Sequence, residues 1–519
     1  MSMRKIRLSL ILLAVILAAP LFWSGPPARA AADGCEPGFS TDFNGDGFSD
    51  TVVADPYATV GTVAEAGRVI VLYGDDDGRI GEGDRAELFQ GAIGVGNAAE
   101  AGDRFGFALA VADINCDEFA DLMVGSPYEN VGAEADAGLV QIVWGGGGGL
   151  GSADPSEQID IEEWGEESEA GNHFGYAVDA LEDVGQGATS EPFAHAIAIG
   201  APGFDVGSAN DAGWVGMTAA ADGGSSSSAV TQNSPGIPGA AETGDRFGAA
   251  LSINQLIGEN GTVDVAVGVP NEDIGSLADA GSVIILQDLY DPVETGIAID
   301  QNSAGVPGVV EAGDRFGRSL DSIKVISNST SWLAIGVPGE DVGSRRNAGS
   351  VQLFRSNQIT LSPRAGLSQD TAGVGDAAQS GDLFGDRLAF GLLGRAESSI
   401  RLAVSAPDED GAATNTGLVQ VFPVTNLDAE VSYAQNSPGV PGAATAGDRF
   451  GAALAVVVGA PERAVIVGVP DDVDNASGMV NVIPFGGGAP RYWAPGINGV
   501  PGPGSSRFGA ALGSVHGST

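Results

Sequence analysis

The stretch of the sequence with the clearest chemical signature is DFNGDGFSD, residues 42–50. Side chains that carry oxygen occupy its first, third, fifth and ninth positions, which are Asp42, Asn44, Asp46 and Asp50. The carbonyl of Phe48 can add one more oxygen, and Gly47 permits the sharp bend of such a loop. Calcium is a hard cation that takes oxygen ligands from tight turns of this kind. The spacing therefore predicts a calcium site, and the alternative is an Asx-rich surface turn.

A second copy of this loop, DINCDEFAD, offers an equivalent set of oxygens. Its ligands would be Asp113, Asn115, Asp117, the carbonyl of Phe119 and Asp121. Glu118 stands where the first copy has its turn glycine, which makes tight binding less favourable than in the first loop. The remaining repeats have too few carboxylates at this spacing. Two calcium sites are predicted, with calcium as the cofactor.

The two cysteines lie close to these loops in the sequence. Cys35 precedes the first loop by seven residues, and Cys116 occupies the fourth position of the second. A cysteine metal site would need more ligands. An even pair in an exported chain favours a disulfide, so we predict a bond between Cys35 and Cys116.

Residues for catalysis are scarce. The three histidines, His173, His195 and His516, are far apart in the sequence. There is no nucleophile elbow, paired-histidine zinc motif or phosphate-binding loop. Carboxylate pairs carry little information in a chain with 68 Asp and Glu. We predict no catalytic residues and a protein that is not an enzyme.

The elements that must position these loops follow from a repeat. Phe-Gly pairs recur 58 to 73 residues apart, beginning at Phe105, Phe174, Phe247, Phe316, Phe384, Phe450 and Phe508. About 20 residues after the first six comes a small-small-Pro triplet, ending at Pro127, Pro202, Pro270, Pro338, Pro407 and Pro470. One more triplet, Ala54-Asp55-Pro56, has no Phe-Gly before it, while Phe508 has no triplet after it. The two incomplete ends complement each other, which predicts a closed ring.

One repeat reads as four short strands, predicted at Phe107–Val111, Leu122–Gly125, Leu139–Trp144 and Glu157–Ile161. Apolar and β-branched runs are separated by turn residues, and no helical periodicity is present. Third strands of the other repeats are predicted at 68–73, 214–217, 282–286, 350–354, 418–422 and 479–483. The pattern predicts an all-β, seven-bladed propeller of four-stranded antiparallel blades, closed by pairing of the N- and C-terminal segments. Residues 33–519 are expected to form this one domain.

The first 32 residues are typical of an export signal. A basic start is followed by the apolar run Leu8–Leu21 and by Ala28-Arg29-Ala30, a small-residue cleavage pattern. We therefore predict a secreted or cell-surface protein, and no other segment suggests a membrane span. The net charge of −45 argues against nucleic acid and anionic lipid as partners.

The Phe-Gly pair, the Gly-Ala-Pro-like triplet and the calcium-type loops together resemble the FG-GAP repeats of integrin alpha-subunit N-terminal β-propellers and related secreted bacterial proteins. The resemblance spans essentially the whole chain after the signal. It implies a seven-bladed propeller with calcium loops on one face and partner recognition on the other.

Recognition residues are expected where the repeats diverge. Trp164 stands in the acidic segment EEWGEESE, His173 replaces the arginine that usually precedes Phe-Gly, and Arg345-Arg346 interrupts a loop that is otherwise small or acidic. Aromatic residues and arginine are enriched in binding hot spots. We expect a binding or adhesion module for an extracellular protein or glycan. The alternatives are a secreted hydrolase or lyase with an active site in the propeller channel, and a structural envelope protein.

Overall fold

The computed structural model describes residues 41–513, except for 153, 183–192, 222–223, 258–261, 290–292, 294, 326–329, 358, 394–395, 459–461, 473, 475–476, 487 and 503–505. The predicted signal segment, Cys35 and His516 lie outside these residues. The signal and the disulfide therefore stay predictions. In the described part of the chain no helix is long and apolar enough to cross a membrane.

Seven four-stranded antiparallel sheets form the blades, numbered here in chain order. Blade 1 contains β1 (Thr51–Asp55), β2 (Arg68–Leu72) and β3 (Arg85–Leu88). Blade 2 contains β4 (Ala108–Ala112), β5 (Asp121–Ser126), β6 (Leu139–Val143) and β7 (Glu157–Ile159). Blade 3 contains β8 (Ala177–Glu182), β9 (Phe193–Ala201), β10 (Trp214–Ala221) and β11 (Gly224–Val230). Blade 4 contains β12 (Ala250–Asn254), β13 (Asp264–Val269), β14 (Ser282–Leu286) and β15 (Gly296–Ile299). Blade 5 contains β16 (Ser319–Val325), β17 (Thr330–Val337), β18 (Ser350–Ser356) and β19 (Leu361–Leu367). Blade 6 contains β20 (Leu388–Leu392), β21 (Ile400–Ala406), β22 (Leu418–Pro423) and β23 (Val431–Tyr433). Blade 7 contains β24 (Ala453–Val458), β25 (Arg463–Val469), β26 (Met479–Pro484) and β27 (Arg491–Trp493). The last strand, β28 (Ala511–Leu512), completes blade 1.

This architecture confirms the predicted all-β, seven-bladed propeller. The third strands begin at the predicted residues because their apolar runs are continuous and β-branched. The fourth strand of blade 2 ends two residues early, at Ile159, because Asp160 caps a short 3₁₀ helix, Ile161–Trp164. The Asp160 side chain accepts the backbone N–H of Glu162, and Gly165 ends the helix at a φ of 82°.

The two ends of the propeller carry different loops. The Phe-Gly pair at the start of each first strand meets the triplet at the end of the second, as when Gly106 N–H donates to the Gly125 carbonyl at 3.2 Å. We call this end, which also carries the loops between second and third strands, the FG face. Loops between first and second strands emerge at the other end, which we call the acidic-loop face because residues 42–50 and 113–121 lie there.

Each Phe-Gly phenylalanine packs between two blades and is fully buried. At the interface of blades 4 and 5, Phe316 N–H donates to the carbonyl of Ala280 at 3.0 Å. Gly281 must be glycine, because a Cβ there would lie 2.4 Å from the backbone nitrogen of Phe316. Gly317 must be glycine as well, because its Cβ would lie 2.7 Å from the Ser282 carbonyl oxygen at a φ of 86°. The recurring loop endings and the Phe-Gly pairs are therefore two halves of one interface.

The ring is closed by the C-terminal strand. β28 pairs with β1 through Ala511 and Leu512. The buried carboxylate of Asp55 accepts the backbone N–H groups of Ser506 at 3.0 Å and of Arg507 at 3.2 Å. Phe508 packs in a cluster that joins apolar residues of blades 1 and 7. The predicted closure by terminal pairing is confirmed.

Buried amide–carboxylate pairs join neighbouring blades on the FG face. The Gln90 amide donates to Glu129 at 2.6 Å, and the Gln232 amide donates to Glu272 at 2.6 Å. Equivalent pairs link Gln301 to Glu340, Gln369 to Glu409, and Gln435 to Asp472. Burial, reinforced by neighbouring acids, raises the pKa of Glu272 and Glu340 to about 7 and that of Glu409 to about 8.

Replacing Phe508 by Ala should lower the free energy of unfolding by about 3–5 kcal/mol, because it leaves a cavity in the closing interface. Chemical denaturation followed by circular dichroism measures this. Ile93→Ala is the control, since Ile93 is 96% exposed and its loss should be nearly neutral. Equal midpoints for the two variants would show that closure does not limit stability.

Stability should rise as the pH falls from about 8 to about 5. The folded protein takes up protons on Glu272, Glu340 and Glu409 near pH 7–8, whereas the unfolded chain takes them up near 4.5. The stabilisation is complete below the unfolded pKa and is lost as the pH rises through the folded pKa. Thermal melts across this range should show higher midpoints at lower pH. Glu340→Gln should raise the midpoint at pH 8 and flatten the profile, and an unchanged profile would contradict this assignment.

Candidate functional site

The first acidic loop is wound by successive side-chain turns. Asn44 N–H donates to Asp42 Oδ1 at 3.3 Å, Asp46 N–H to Asn44 Oδ1 at 3.0 Å, and Phe48 N–H to Asp46 Oδ1 at 2.9 Å. This repeated i to i+2 pattern brings alternate oxygen-bearing side chains together. Asn44 Nδ2 lies only 3.0 Å from Asp46 Oδ2. Three of the predicted ligands therefore lie close together in one loop.

Asp42 organises the loop from its first position. Its Oδ1 also accepts Gly45 N–H at 2.6 Å, and its Oδ2 accepts Gly47 N–H at 2.7 Å. The two glycines adopt φ values of 72° and 87°, which are unfavourable for residues with a Cβ. The turn therefore depends on one carboxylate and two glycines.

Asp50, the ninth residue, is fully buried and has a structural role. Its Oδ2 accepts Phe43 N–H at 2.9 Å, and its Oδ1 accepts Gly74 N–H at 2.8 Å in the next hairpin of the blade. Burial raises its pKa to about 8, with repulsion from Asp42 and Asp46 adding to the shift. Asp264 holds the equivalent loop of blade 4 in the same way, by accepting from Leu256 and Asp288, although that loop lacks the calcium spacing. Sequence reasoning assigned Asp50 only a ligand role and missed this one.

The second loop repeats the geometry with more backbone strain. Asp117 N–H donates to Asp113 Oδ1 at 3.1 Å, and Phe119 N–H donates to Asp117 Oδ1 at 3.1 Å. Cys116 and Glu118 adopt φ values of 58° and 74°, where the first loop has glycines. Such conformations cost on the order of 1 kcal/mol each in a residue with a Cβ.

The other predicted ligands of this second loop also accept hydrogen bonds from backbone N–H groups. Asn115 Oδ1 accepts Asp117 N–H at 3.0 Å, while Asp121 is fully buried and accepts from Ile114 and Gly145 at 2.8 Å each. Burial raises the pKa of Asp113 to about 6 and that of Asp121 well above its usual range.

The donor chemistry of both loops suits calcium, since every candidate ligand atom is oxygen. The carboxylates, however, are engaged by backbone N–H groups. Among the described residues, no three His, Cys, Asp or Glu side chains converge in a manner that could hold a metal ion. The two loops also contact each other, because Ala120 N–H donates to the Asp42 carbonyl at 3.0 Å and Gly45 packs against the Phe119 ring.

Trp164 is placed mainly by packing. Its ring lies 5.7 Å from that of Trp214 and 6.0 Å from that of Phe174, and its Nε1 donates to the Met217 carbonyl at 3.3 Å. The side chain is half-buried between blades 2 and 3. A role in recognition stays a prediction, but most of this ring stabilises the blade interface.

The other candidate binding residues lie on the FG face. His173 packs against Tyr128 with ring centroids 5.0 Å apart, and burial lowers its pKa. Arg345 forms an ion pair with Asp370 at 2.7 Å. Arg346 is exposed, and its backbone N–H donates to Ser380 at 3.1 Å.

Carboxylates along the innermost strands are held by backbone contacts. Asp179 accepts Ala180 N–H at 2.9 Å and Ile253 N–H at 2.7 Å, so it bridges blades 3 and 4. Asp321 accepts Ser322 N–H at 2.8 Å and Phe390 N–H at 2.5 Å, so it bridges blades 5 and 6. These contacts satisfy the free edges of the innermost strands.

A cavity of about 580 Å³ opens at the centre of the FG face. It is lined by the residue that follows each Phe-Gly pair, namely Phe107, Tyr176, Ala249, Arg318, Asp386, Ala452 and Ala510. Sequence reasoning missed this ring. An alignment of the seven repeats on Phe-Gly would have exposed it, because the next position is the one that changes chemistry from blade to blade.

Comparison with known proteins agrees with the repeat assignment. The family model FG-GAP repeat matches residues 105–143. That segment runs from the Phe-Gly pair of blade 2 through its third strand, and the same arrangement recurs around the ring. The chain thus contains an FG-GAP repeat and folds as a seven-bladed β-propeller.

Among curated proteins, phosphatidylinositol-glycan-specific phospholipase D of Bos taurus is 36% identical over 129 residues, which cover 24% of this chain and 14% of the bovine protein. The protein of the same name from Rattus norvegicus is 36% identical over 125 residues, and that of Dictyostelium discoideum is 28% identical over 163 residues. The match thus spans about one seventh of these relatives. One solved structure, a eukaryotic initiation factor, aligns over 82% of this chain and 75% of its own at 10% identity, with a TM-score of 0.30.

Proposed function

We propose that this FG-GAP propeller is a secreted, calcium-stabilised binding or adhesion module that recognises an extracellular partner through its FG face. The observation that carries the proposal is the location of the residues that break the repeat. His173, Arg345 and Arg346 lie at the FG end, together with the variable ring at the mouth of the cavity. On the acidic-loop face, the loops at residues 42–50 and 113–121 share one turn geometry instead.

Calcium binding rests on the first loop. Asp42, Asn44 and Asp46 place oxygen side chains at alternate positions, and the carboxylates repel one another in the absence of a cation. A divalent ion would relieve that repulsion. In the second loop, Asp113, Asn115 and Asp117 would act in the same way with weaker affinity, because positive φ values at Cys116 and Glu118 strain the turn.

Binding rather than catalysis is favoured by the carboxylates of the innermost strands. Asp179 and Asp321 each hold backbone N–H groups of two strands, an arrangement that suits a structural role. The relatives named as phospholipase D share only a repeat segment with this chain. A hydrolase with an active site in the channel is therefore the second candidate.

Millimolar calcium should raise the melting temperature of the protein relative to chelator, because an ion that binds only the folded state stabilises it by mass action. At a calcium concentration of about 100 times Kd the gain is about 2.7 kcal/mol. Asp46→Ala should remove most of the gain. Asp76→Ala is the control, since Asp76 is an exposed acid in the neighbouring turn of the same blade. Differential scanning calorimetry measures the shift, and equal curves in calcium and chelator would contradict the proposal.

Replacing Arg345 and Arg346 by Ala should weaken capture of the extracellular partner without changing the melting temperature. The test uses immobilised full-length protein and native extracellular material in calcium. Arg463→Ala is the control, because Arg463 is exposed at the start of a second strand, on the acidic-loop face. Equal capture by all variants would argue against recognition through these loops. Turnover of a polysaccharide or ester substrate after rigorous purification would favour the hydrolase.

A further inference from the structure

The cavity at the centre of the FG face has two chemically different sides. Around the ring, blades 2 and 3 contribute aromatic side chains, and blades 5 and 6 contribute charged ones. The intervening blades contribute alanine at the same position. The volume of about 580 Å³ falls within the range of small-molecule sites. The arrangement leaves room between an aromatic side and a charged side.

The aromatic side is held in place by stacking. Phe107 and Tyr176 lie with ring centroids 5.0 Å apart, and Phe107 also meets Tyr128 edge-on at 5.7 Å. The Arg104 guanidinium lies 4.9 Å from the centroid of Tyr57 and 4.4 Å from that of Tyr128. Phe107, Tyr176 and Tyr57 line the cavity and are half-buried. They form a preorganised apolar surface bordered by phenolic hydroxyls.

One arginine of the cavity lining differs from the others. Four arginines line the cavity, and three of them pair with aspartates: Arg387 with Asp386 at 2.9 Å, Arg449 with Asp408 at 2.7 Å, and Arg507 with Asp471 at 2.9 Å. Arg318 has no ion-pair partner among the described residues. Four arginines against three aspartates leave the lining with one excess positive charge, in a chain whose net charge is −45.

We propose that the mouth of the cavity binds the terminal residue of an acidic saccharide, a uronic acid at the end of a glycan. The inference rests on the proposed function and narrows its ligand class. A pyranose ring packs its apolar face on Phe107 and Tyr176, while its carboxylate pairs with the Arg318 guanidinium in a bidentate manner. Tyr57 and Tyr176 supply phenolic hydroxyls that can both donate to and accept from the sugar hydroxyls.

Charge limits the ligand to a chain end. The loops between second and third strands on the FG face carry acids such as Asp205, Asp273 and Asp341, so a long polyanion lying across this face would be repelled. The cavity lining, in contrast, has a positive excess. Affinity should therefore change little between a disaccharide and a hexasaccharide of the same uronic acid.

Isothermal titration with disaccharides of galacturonic, glucuronic and mannuronic acid tests the proposal on the full chain. At least one should bind saturably, and its methyl ester should bind about tenfold more weakly or worse, because esterification removes the charge that Arg318 recognises. Arg318→Gln should cause a similar loss. Arg364→Gln is the matched control, an exposed arginine on β19 of the same blade, and should leave affinity unchanged. Tyr176→Ala should weaken acid and ester alike, and thermal melts should show that all variants fold.

Three outcomes would overturn the proposal: no binding of any of the three disaccharides at millimolar concentration, equal binding of acid and ester, or equal loss in the Arg318 and Arg364 variants. Binding of an acidic peptide in place of the saccharides would also overturn it. None of these results would contradict the proposal that Arg345 and Arg346 take part in capturing the extracellular partner. The failure of this site is thus distinguishable from failure of the FG face as a recognition surface.

Discussion

The whole propeller depends on the contact between each Phe-Gly pair and the preceding blade. The phenylalanine is fully buried, and its N–H bonds to a carbonyl near the end of the neighbouring loop, as Phe316 does to Ala280. The blades approach so closely that a Cβ on Gly281 or Gly317 would overlap backbone atoms. Because side chains cannot be added there, the interface tolerates almost no variation. Variation is displaced to the residue that follows Phe-Gly and to the loops of the FG face.

Much of the fold could be predicted because the same pattern of Phe-Gly pairs, strands and turns recurs seven times in the sequence. The third strands are continuous apolar runs, and the incomplete repeats at the two ends predicted the pairing of β1 with β28. Contacts between blades were harder to foresee. The buried Gln301–Glu340 pair joins residues 39 apart, and neither residue alone suggests such a pair. Trp164 looked like an exposed aromatic among acids, whereas its packing on Trp214 follows from a helical turn that the sequence did not suggest.

The candidate sites show the same division. The oxygen-bearing side chains at alternate positions of the first acidic loop could be predicted from the sequence, because the turn formed by Asp42, Asn44 and Asp46 is a local property of nine residues. The structural role of Asp50 could not be predicted, since its partner Gly74 lies 24 residues away in the sequence. The variable ring at the mouth of the cavity depends on all seven blades meeting at one axis. Position relative to that axis is visible only once the ring is assembled.

Closure by a strand of two residues has a consequence for how the molecule is made. The hydrogen bond between Ser506 and Asp55 spans 451 residues, so blade 1 stays incomplete until residues 506–512 have been synthesised. Bringing such distant segments together is entropically costly and slow, whereas the other six blades form from contiguous residues. Blades 2 to 7 can therefore form before blade 1 is completed, and the ring closes last. Because β28 pairs with β1 through only two residues, it would also be the first strand to separate from its sheet when the ring opens.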